Sequence, residues 1–217
     1  MRKTFGVALS AIFLAAGMAA FGADFWESKQ YDKWSQKECG KLLSNSPWAQ
    51  EFKQVNMGLQ QSTQPSDDGQ QFQFVYQMQF RSALPVRQAL VRQMQIAQKY
   101  DSLPAEQKQQ FDQGAKGFLD ADFSDVVVLH VAYSINSQTK GRELDRYWQT
   151  QTTELLQNAV YLRNSRGDKV AIKQYIPPQG QERTFQFIFP REANGKALIG
   201  VEDKSLILEF TYPPVSI

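Results

Sequence analysis

Glu38 is the first residue in this chain whose sequence surroundings could support acid–base chemistry. If a helix begins near Tyr31, its 100° steps place Glu38 beside aromatic and aliphatic neighbours, where a partly buried carboxylate could exchange a proton. Ser35 offers a structural alternative, because Ser35 and Glu38 have the spacing of a capping box that pairs each side chain with the other's backbone N–H. The capping box accounts for Glu38 without chemistry, and we therefore predict a structural role for it.

Three carboxylates, at Asp120, Asp122 and Asp125, come just before the most hydrophobic stretch of the chain. Such a cluster could bind calcium, but its spacing departs from that of the EF-hand loop, which fixes the positions of its oxygen ligands, a glycine and a final glutamate. We predict an acidic turn that leads into a buried strand. Together with Glu38, Asp122 and Asp125 are the candidates for carboxylate-dependent hydrolysis.

His130 and Cys39 are the only histidine and the only cysteine in the sequence. A metal site would therefore need further ligands from carboxylates, and neither HxxxH nor CxxC spacing is present. The chain also has no GxSxG motif to place a hydrolase nucleophile on a sharp turn. We predict a strand position for His130, a buried thiol for Cys39 with an intermolecular bridge or a reactive thiol as the alternative, no metal site and no cofactor.

The elements that would position these residues begin with a short capped helix around Glu38. Trp34 and Cys39 occupy the two positions of a hydrophobic staple, and Pro47 ends the helix because the residue before a proline is pushed out of the α region. Large indoles dominate the burial of the surfaces that they contact. We predict that this segment clamps the helix onto the core through four anchor residues: Trp34, Ser35, Glu38 and Trp48.

The clearest strand pattern lies at residues 72–80, where aromatic residues and Met78 alternate with glutamines and Val75. A period of two puts the aromatic side chains on the core and the glutamines on solvent, as in antiparallel sheets with one exposed face. A strand at residues 52–59 and a polar turn at residues 61–69 would complete a hairpin. The glutamine face could bind a polar ligand such as a glycan, but we interpret it as a solvated sheet face.

Helical periodicity follows this hairpin. Pro85 marks the first turn of a helix that runs to about residue 100, a second helix runs to about residue 117, and their short connection predicts an αα-hairpin. A third helix is predicted from residue 139 or 141 to residue 157. Further strands are predicted at residues 126–133, 159–163, 169–175, 183–189, 196–201 and 205–212.

These elements predict an α+β fold. We expect a single domain over residues 24–217, with a mainly antiparallel, twisted sheet of about six to seven strands. The three main helices are expected largely on one face of that sheet.

The first residues have the composition of a secretory signal peptide. Arg2 and Lys3 precede an apolar run over residues 5–21, and small residues provide a cleavage site near Ala23 or Asp24. A retained membrane anchor is the alternative, but the run is short for a spanning helix, which needs about 20 apolar residues. We predict a cleaved signal peptide over residues 1–23, no membrane span after cleavage, and a periplasmic or extracellular location.

The charge of the mature chain argues against nucleic-acid binding. Removing Arg2 and Lys3 from the 24 basic residues leaves 22, which equals the 22 acidic residues. No basic run stands out that could follow a phosphate backbone. The aromatic content of 12% is typical of a filled core rather than of a disordered chain.

Two segments resemble a pattern found in uncharacterised exported bacterial proteins, some of which also carry a GWxTD-type domain. The first segment reads WSxxE…LLxxSPWA at residues 34–49, and the second reads SALPVRQA at residues 82–89. The GWxTD motif itself does not occur in this sequence. The resemblance implies export and a shared fold, and it supplies no catalytic residues. Since both segments carry a charged residue, we hypothesise an ion pair between Glu38 and Arg87 beneath the helix.

These observations favour a non-catalytic function. We expect an exported binding or interaction module of the bacterial cell envelope, whose partner is another protein, an envelope component or a small apolar ligand. Two alternatives stay open: an envelope-associated hydrolase that uses carboxylates, and a structural protein that self-assembles through a sheet edge. A hydrolase requires a pocket in which acids converge, whereas a binding module requires an apolar cleft without them.

Overall fold

The structure is a computed structural model that describes residues 8–14, 24–56, 72–200 and 202–211. Only the backbone is described for residues 8–14, 54–56, 72 and 211. The predicted signal cleavage site, the end of the first predicted strand and the polar turn at residues 61–69 lie outside the described residues.

The described chain contains six α-helices, two single 3₁₀ turns and twelve strands. The 3₁₀ turns lie at Tyr31–Lys33 and Tyr100–Ser102. The helices are α1 (Phe25–Ser28), α2 (Gln36–Ser44), α3 (Leu84–Ala97), α4 (Ala105–Leu119), α5 (Gln138–Thr150) and α6 (Thr153–Leu156). The strands are β1 (Ala8–Leu14), β2 (Asn45–Ser46), β3 (Ala49–Asn56), β4 (Phe72–Phe80), β5 (Val126–Ile135), β6 (Val160–Asn164), β7 (Lys169–Ala171), β8 (Gln174–Ile176), β9 (Thr184–Pro190), β10 (Glu192–Ala193), β11 (Lys196–Ala197) and β12 (Ser205–Thr211).

The predicted α+β class with a six-stranded antiparallel sheet is confirmed. The sheet has the strand order β2-β3-β4-β5-β9-β8, and every described pairing in it is antiparallel. The remaining strands form a second sheet, in the order β1-β12-β6-β7, and a small β10–β11 hairpin. The sequence did not indicate which of the strands after β5 belong to which sheet. Alternation of buried and exposed side chains is expected for a strand in either sheet.

Strand β4 shows the alternation that its sequence predicts. Phe74, Tyr76 and Met78 are buried in the core, whereas Gln73 and Gln77 on the opposite face are exposed. Its register with β5 pairs Tyr76 with Tyr133, so aromatic residues meet across the two central strands.

Both sheets contribute to one hydrophobic core, in which Trp148 of α5 lies where they meet. The Trp148 indole stacks on Phe185 of β9 with ring centroids 4.1 Å apart, and it lies 6.2 Å from Phe210 of β12. Leu162 and Leu208 complete the contribution of the second sheet. Burial of these large side chains supplies most of the driving force that joins the layers.

A second cluster joins α2 to α3. Trp34, Cys39 and Leu42 are fully buried there against Val86 and Ala89 of α3. The predicted αα-hairpin is also present, because α3 and α4 are joined by the short turn at Tyr100–Ser102. Helix α4 has no buried residue, so α4 is the most exposed layer of this part of the molecule.

The third predicted helix is divided in two. Helix α5 ends at Thr150, and the hydroxyl of Thr152 accepts a hydrogen bond from the backbone N–H of Leu155 at the start of α6. A threonine at this position favours a new helix start over continuation of the old one. Within the ranges given above, no helix combines the length and apolar character needed to cross a bilayer.

Trp148 provides a test of the shared core. We expect Trp148→Ala to lower the free energy of unfolding by about 3–5 kcal/mol, as measured by urea denaturation. The substitution leaves a cavity where the indole was, and residues of both sheets would have to move to fill it. Trp148→Phe should lower the free energy of unfolding by less, since it keeps an aromatic ring and removes an indole N–H that has no described hydrogen-bond partner. The control is Leu155→Ala at a side chain that is 62% exposed, with an expected change within about 0.5 kcal/mol. An equal effect at positions 148 and 155 would contradict the shared core.

Candidate functional site

The predicted capping box is present at the start of α2. The Ser35 backbone N–H donates to Oε2 of Glu38 at 2.7 Å, and the Glu38 N–H donates to the Ser35 hydroxyl at 3.3 Å. Trp34 just before it is only 1% exposed, and its indole N–H donates to the Lys29 carbonyl at 3.0 Å. Trp48, which follows the helix, is half-buried and contacts both hydrophobic clusters.

Glu38 is held as a carboxylate at neutral pH. The Lys29 ammonium donates to both of its oxygens, at 2.8 and 3.0 Å. Hydrogen bonds from Lys29 and from Ser35 lower the pKa of Glu38 to about 2. Since a general acid or base works best with a pKa near the operating pH, this environment opposes proton transfer by Glu38 at neutral pH.

The hypothesised Glu38–Arg87 ion pair is wrong. Arg87 donates through Nη1 to the carbonyls of Phe118 at 3.2 Å and Ala121 at 2.8 Å, and its guanidinium lies over the ring of Phe123. The packing of α3 on α4 carries Arg87 to the carboxyl end of α4, where carbonyl groups without helical partners attract a cation. Lys29, which lies on the lead-in to α2, takes the place of Arg87 beside Glu38.

The other candidate acids are engaged in local structure. Asp122 accepts hydrogen bonds from the N–H and the hydroxyl of Ser124, at 2.8 and 3.2 Å, and these bonds lower the pKa of the Asp122 carboxyl. Asp125 is exposed just before β5, and Asp120 pairs with Lys116. Asp145, which was not among the predicted candidates, accepts through both oxygens from the Arg183 guanidinium at 2.9 Å. Among the described residues no group of three or more histidine, cysteine or acidic side chains is placed to hold a metal ion.

A cavity of about 290 Å³ opens beside the predicted anchor residue Trp48, and we call it the Trp48 cavity. Three connections meet there: the turn between β2 and β3, the junction of β4 with α3, and the segment between β11 and β12. Its walls are mainly apolar. They include the side chains of Trp48, Phe80, Ala83, Pro85, Ile199 and Leu206.

Few polar groups face the Trp48 cavity, and most of them are already bonded. Asp203, with a side chain 3% exposed, accepts from the Gly200 N–H at 2.8 Å and from the Ser165 hydroxyl at 3.1 Å. The Ser82 hydroxyl accepts from the N–H of Val128 at 3.2 Å. Arg191 donates through Nε to the Phe123 carbonyl at 3.1 Å, and its two Nη atoms make no hydrogen bond to described residues. The lining therefore contains one acid, Asp203, whose oxygens accept hydrogen bonds from Gly200 and Ser165. It also contains one arginine, Arg191, whose Nη atoms make no hydrogen bond to described residues.

Comparisons with known proteins give no match: no family model, no curated protein and no solved structure is significantly similar to this chain.

The pKa of Glu38 generates a test of the capping box. Because the folded pKa of about 2 lies below the ordinary value of 4.5, ionised Glu38 stabilises the fold above about pH 4.5, and this contribution is lost as the pH falls towards 2. We expect the difference in urea midpoint between wild type and Glu38→Gln to be largest near neutral pH and to shrink steadily below about pH 4.5. Ser35→Ala should cost about 1 kcal/mol at neutral pH through loss of the cap. A midpoint difference that stays constant down to about pH 2 would rule out the ionised cap.

Proposed function

We propose that this protein is an exported, non-catalytic binding module of the bacterial cell envelope, and that a small apolar ligand occupies the Trp48 cavity. The observation that carries the proposal is the cavity itself: an apolar, concave space with few polar groups and without converging acids. Ligand sites in proteins are concave and mainly apolar, with a small number of polar groups that orient the ligand.

The dimensions of the Trp48 cavity favour a small ligand. A volume of about 290 Å³ is near the lower end of the range for small-molecule sites. Trp48 and Phe80 offer aromatic surface, and the free Nη donors of Arg191 could bind one polar atom of the ligand. A neutral ring or a short branched chain with one acceptor atom fits this chemistry.

The positions of the carboxylates favour binding over hydrolysis. Glu38 is tied to Lys29 and Ser35, Asp122 is tied to Ser124, and neither lines the Trp48 cavity. A carboxylate-dependent hydrolase would need two such groups in one pocket with pKa values suited to proton transfer. Self-assembly through a sheet edge remains a separate alternative, which a mass that rises with concentration would support.

Export is supported by the order of charge and hydrophobicity at the N-terminus and by the resemblance of residues 34–49 and 82–89 to exported bacterial proteins. On expression of the full chain in a Gram-negative host, we expect the protein in the envelope fraction with a mass that corresponds to a start near Ala23 or Asp24. This cleavage would remove β1 and leave β12 as an edge strand of the second sheet. Recovery of the uncleaved chain from the cytoplasm would count against export.

Ligand binding can be tested with the neutral fluorophore N-phenyl-1-naphthylamine. We expect saturable fluorescence enhancement on wild-type protein, and affinity reduced about tenfold or more in Ala83→Leu, whose larger side chain occupies part of the cavity. Leu155→Ser is the control, since Leu155 is exposed and does not line the cavity. Melting temperatures of both variants should be compared first. Equal affinity in folded Ala83→Leu and wild type would exclude the Trp48 cavity as the site.

A further inference from the structure

Arg81 is a half-buried cation without an acidic partner among the described residues. Its backbone N–H donates to the Val128 carbonyl at 2.8 Å, which fixes the residue where β4 runs into α3. Phe80 before it faces the core, so the Arg81 side chain leaves the sheet on the opposite face. Its Nε is buried without a hydrogen-bond partner, and the described residues provide no ion pair for its guanidinium.

His130 lies on the same face of the sheet and is uncharged. It pairs with Gln79 across the β4–β5 ladder, which makes Arg81 its diagonal neighbour. Burial and the nearby charge of Arg81 lower the pKa of His130 to about 4. Arginine keeps its proton in proteins, so this region carries one unneutralised positive charge at neutral pH.

The neighbouring charged groups are already engaged elsewhere. Arg87 on α3 donates to the carbonyls at the end of α4, and Asp120 near it binds Lys116. On β3, Glu51 binds Lys53 and also accepts from Gln77 on β4. The guanidinium of Arg81 is therefore half-buried and makes no hydrogen bond to a described residue, so its donors can bind an anion.

An apolar groove of about 400 Å³ opens directly beside this guanidinium. Leu90, Met94 and Ala97 of α3 form one side of it, and Phe118 of α4 forms the other. Met94 is 44% exposed, so the groove is open to solvent along α3. Gln93 also lines the groove, which is otherwise apolar apart from Arg81. A cation in the wall of such a groove is complementary to a molecule with an anionic head and an apolar tail.

We propose that the α3–α4 groove binds a single-chain carboxylate amphiphile of the fatty-acid class, with the carboxylate on Arg81 and the chain along Leu90, Met94 and Phe118. This site is separate from the Trp48 cavity and goes beyond the function proposed for it. One guanidinium matches the single charge and the two parallel oxygens of a carboxylate.

The sole histidine provides a direct readout of the Arg81 environment. In NMR spectra, its ring signals should shift on titration with sodium decanoate, and the pKa of His130 should rise because the carboxylate offsets the charge of Arg81. Decanol carries the same chain without the charge, and acetate carries the head without the chain. We expect decanoate to bind about tenfold more tightly than either.

Two variants separate binding from folding. Arg81→Met should remove the preference for decanoate over decanol. Met94→Asp places a carboxylate on the exposed rim of the groove, should leave the fold intact, and should weaken decanoate binding about tenfold by charge repulsion. Leu155→Asp is the charge-matched control at an exposed site outside the groove, with no change in affinity expected.

Several outcomes would overturn the proposal. Equal affinity for decanoate and decanol in the wild type, or decanoate binding unchanged in folded Met94→Asp, would show that Arg81 and the groove do not form the site. Tighter binding of decyl phosphate than of decanoate would show that the head group is wrongly assigned. Retention of decanoate binding in Ala83→Leu would support two separate sites, whereas decanoate binding that is lost in folded Ala83→Leu but unchanged in Arg81→Met would assign decanoate to the Trp48 cavity instead.

Discussion

Burial of the aromatic face of the six-stranded sheet is the interaction on which the other layers depend. Strands β4, β5 and β9 present their large side chains to one side, and Trp148 of α5 packs on them through Phe185. The second sheet adds Phe210, whose ring lies 6.2 Å from Phe187. Because each layer has an apolar face that it cannot bury alone, the sheets and α5 become stable only together.

The junction of β4 with α3 connects the two proposed sites. Phe80, Ser82 and Ala83 line the Trp48 cavity, whereas Arg81 between them lines the α3–α4 groove. The alternation of a strand directs neighbouring side chains to opposite faces, and the start of α3 then fixes the chain between them. The Ser82 hydroxyl holds the junction to β5 by accepting from the Val128 N–H. A shift of this junction would therefore change both sites at once.

Electrostatic pairing divides the charged residues of this region into two groups. Glu38, Asp120 and Asp145 each have a basic partner within the described chain. Arg81 and Arg87 have no acidic partner, but Arg87 donates to the carbonyls of Phe118 and Ala121, whereas the Arg81 side chain makes no hydrogen bond to a described residue. Surface ion pairs contribute little to stability, so the half-buried guanidinium with unused donors is more informative than the pairs.

Local interactions of this protein could be read from its sequence. The capping box joins Ser35 and Glu38, which are three positions apart, and the alternation at residues 72–80 is a property of the strand itself, so neither depends on distant parts of the chain. The αα-hairpin was predictable for the same reason. The end of α5 at Thr150 was not predicted, although the capping residue Thr152 provided a local signal for it.

Only the tertiary structure determined which charged side chains bind each other and where cavities form. Glu38 binds Lys29 rather than Arg87, because the packing of α3 against α4 directs Arg87 to the carbonyls of Phe118 and Ala121. The Trp48 cavity joins residues about 150 positions apart, such as Trp48 and Ile199, and no periodicity records such a contact. The sequence thus determined the elements through interactions within a few residues, and only the packing of those elements determined which side chains meet.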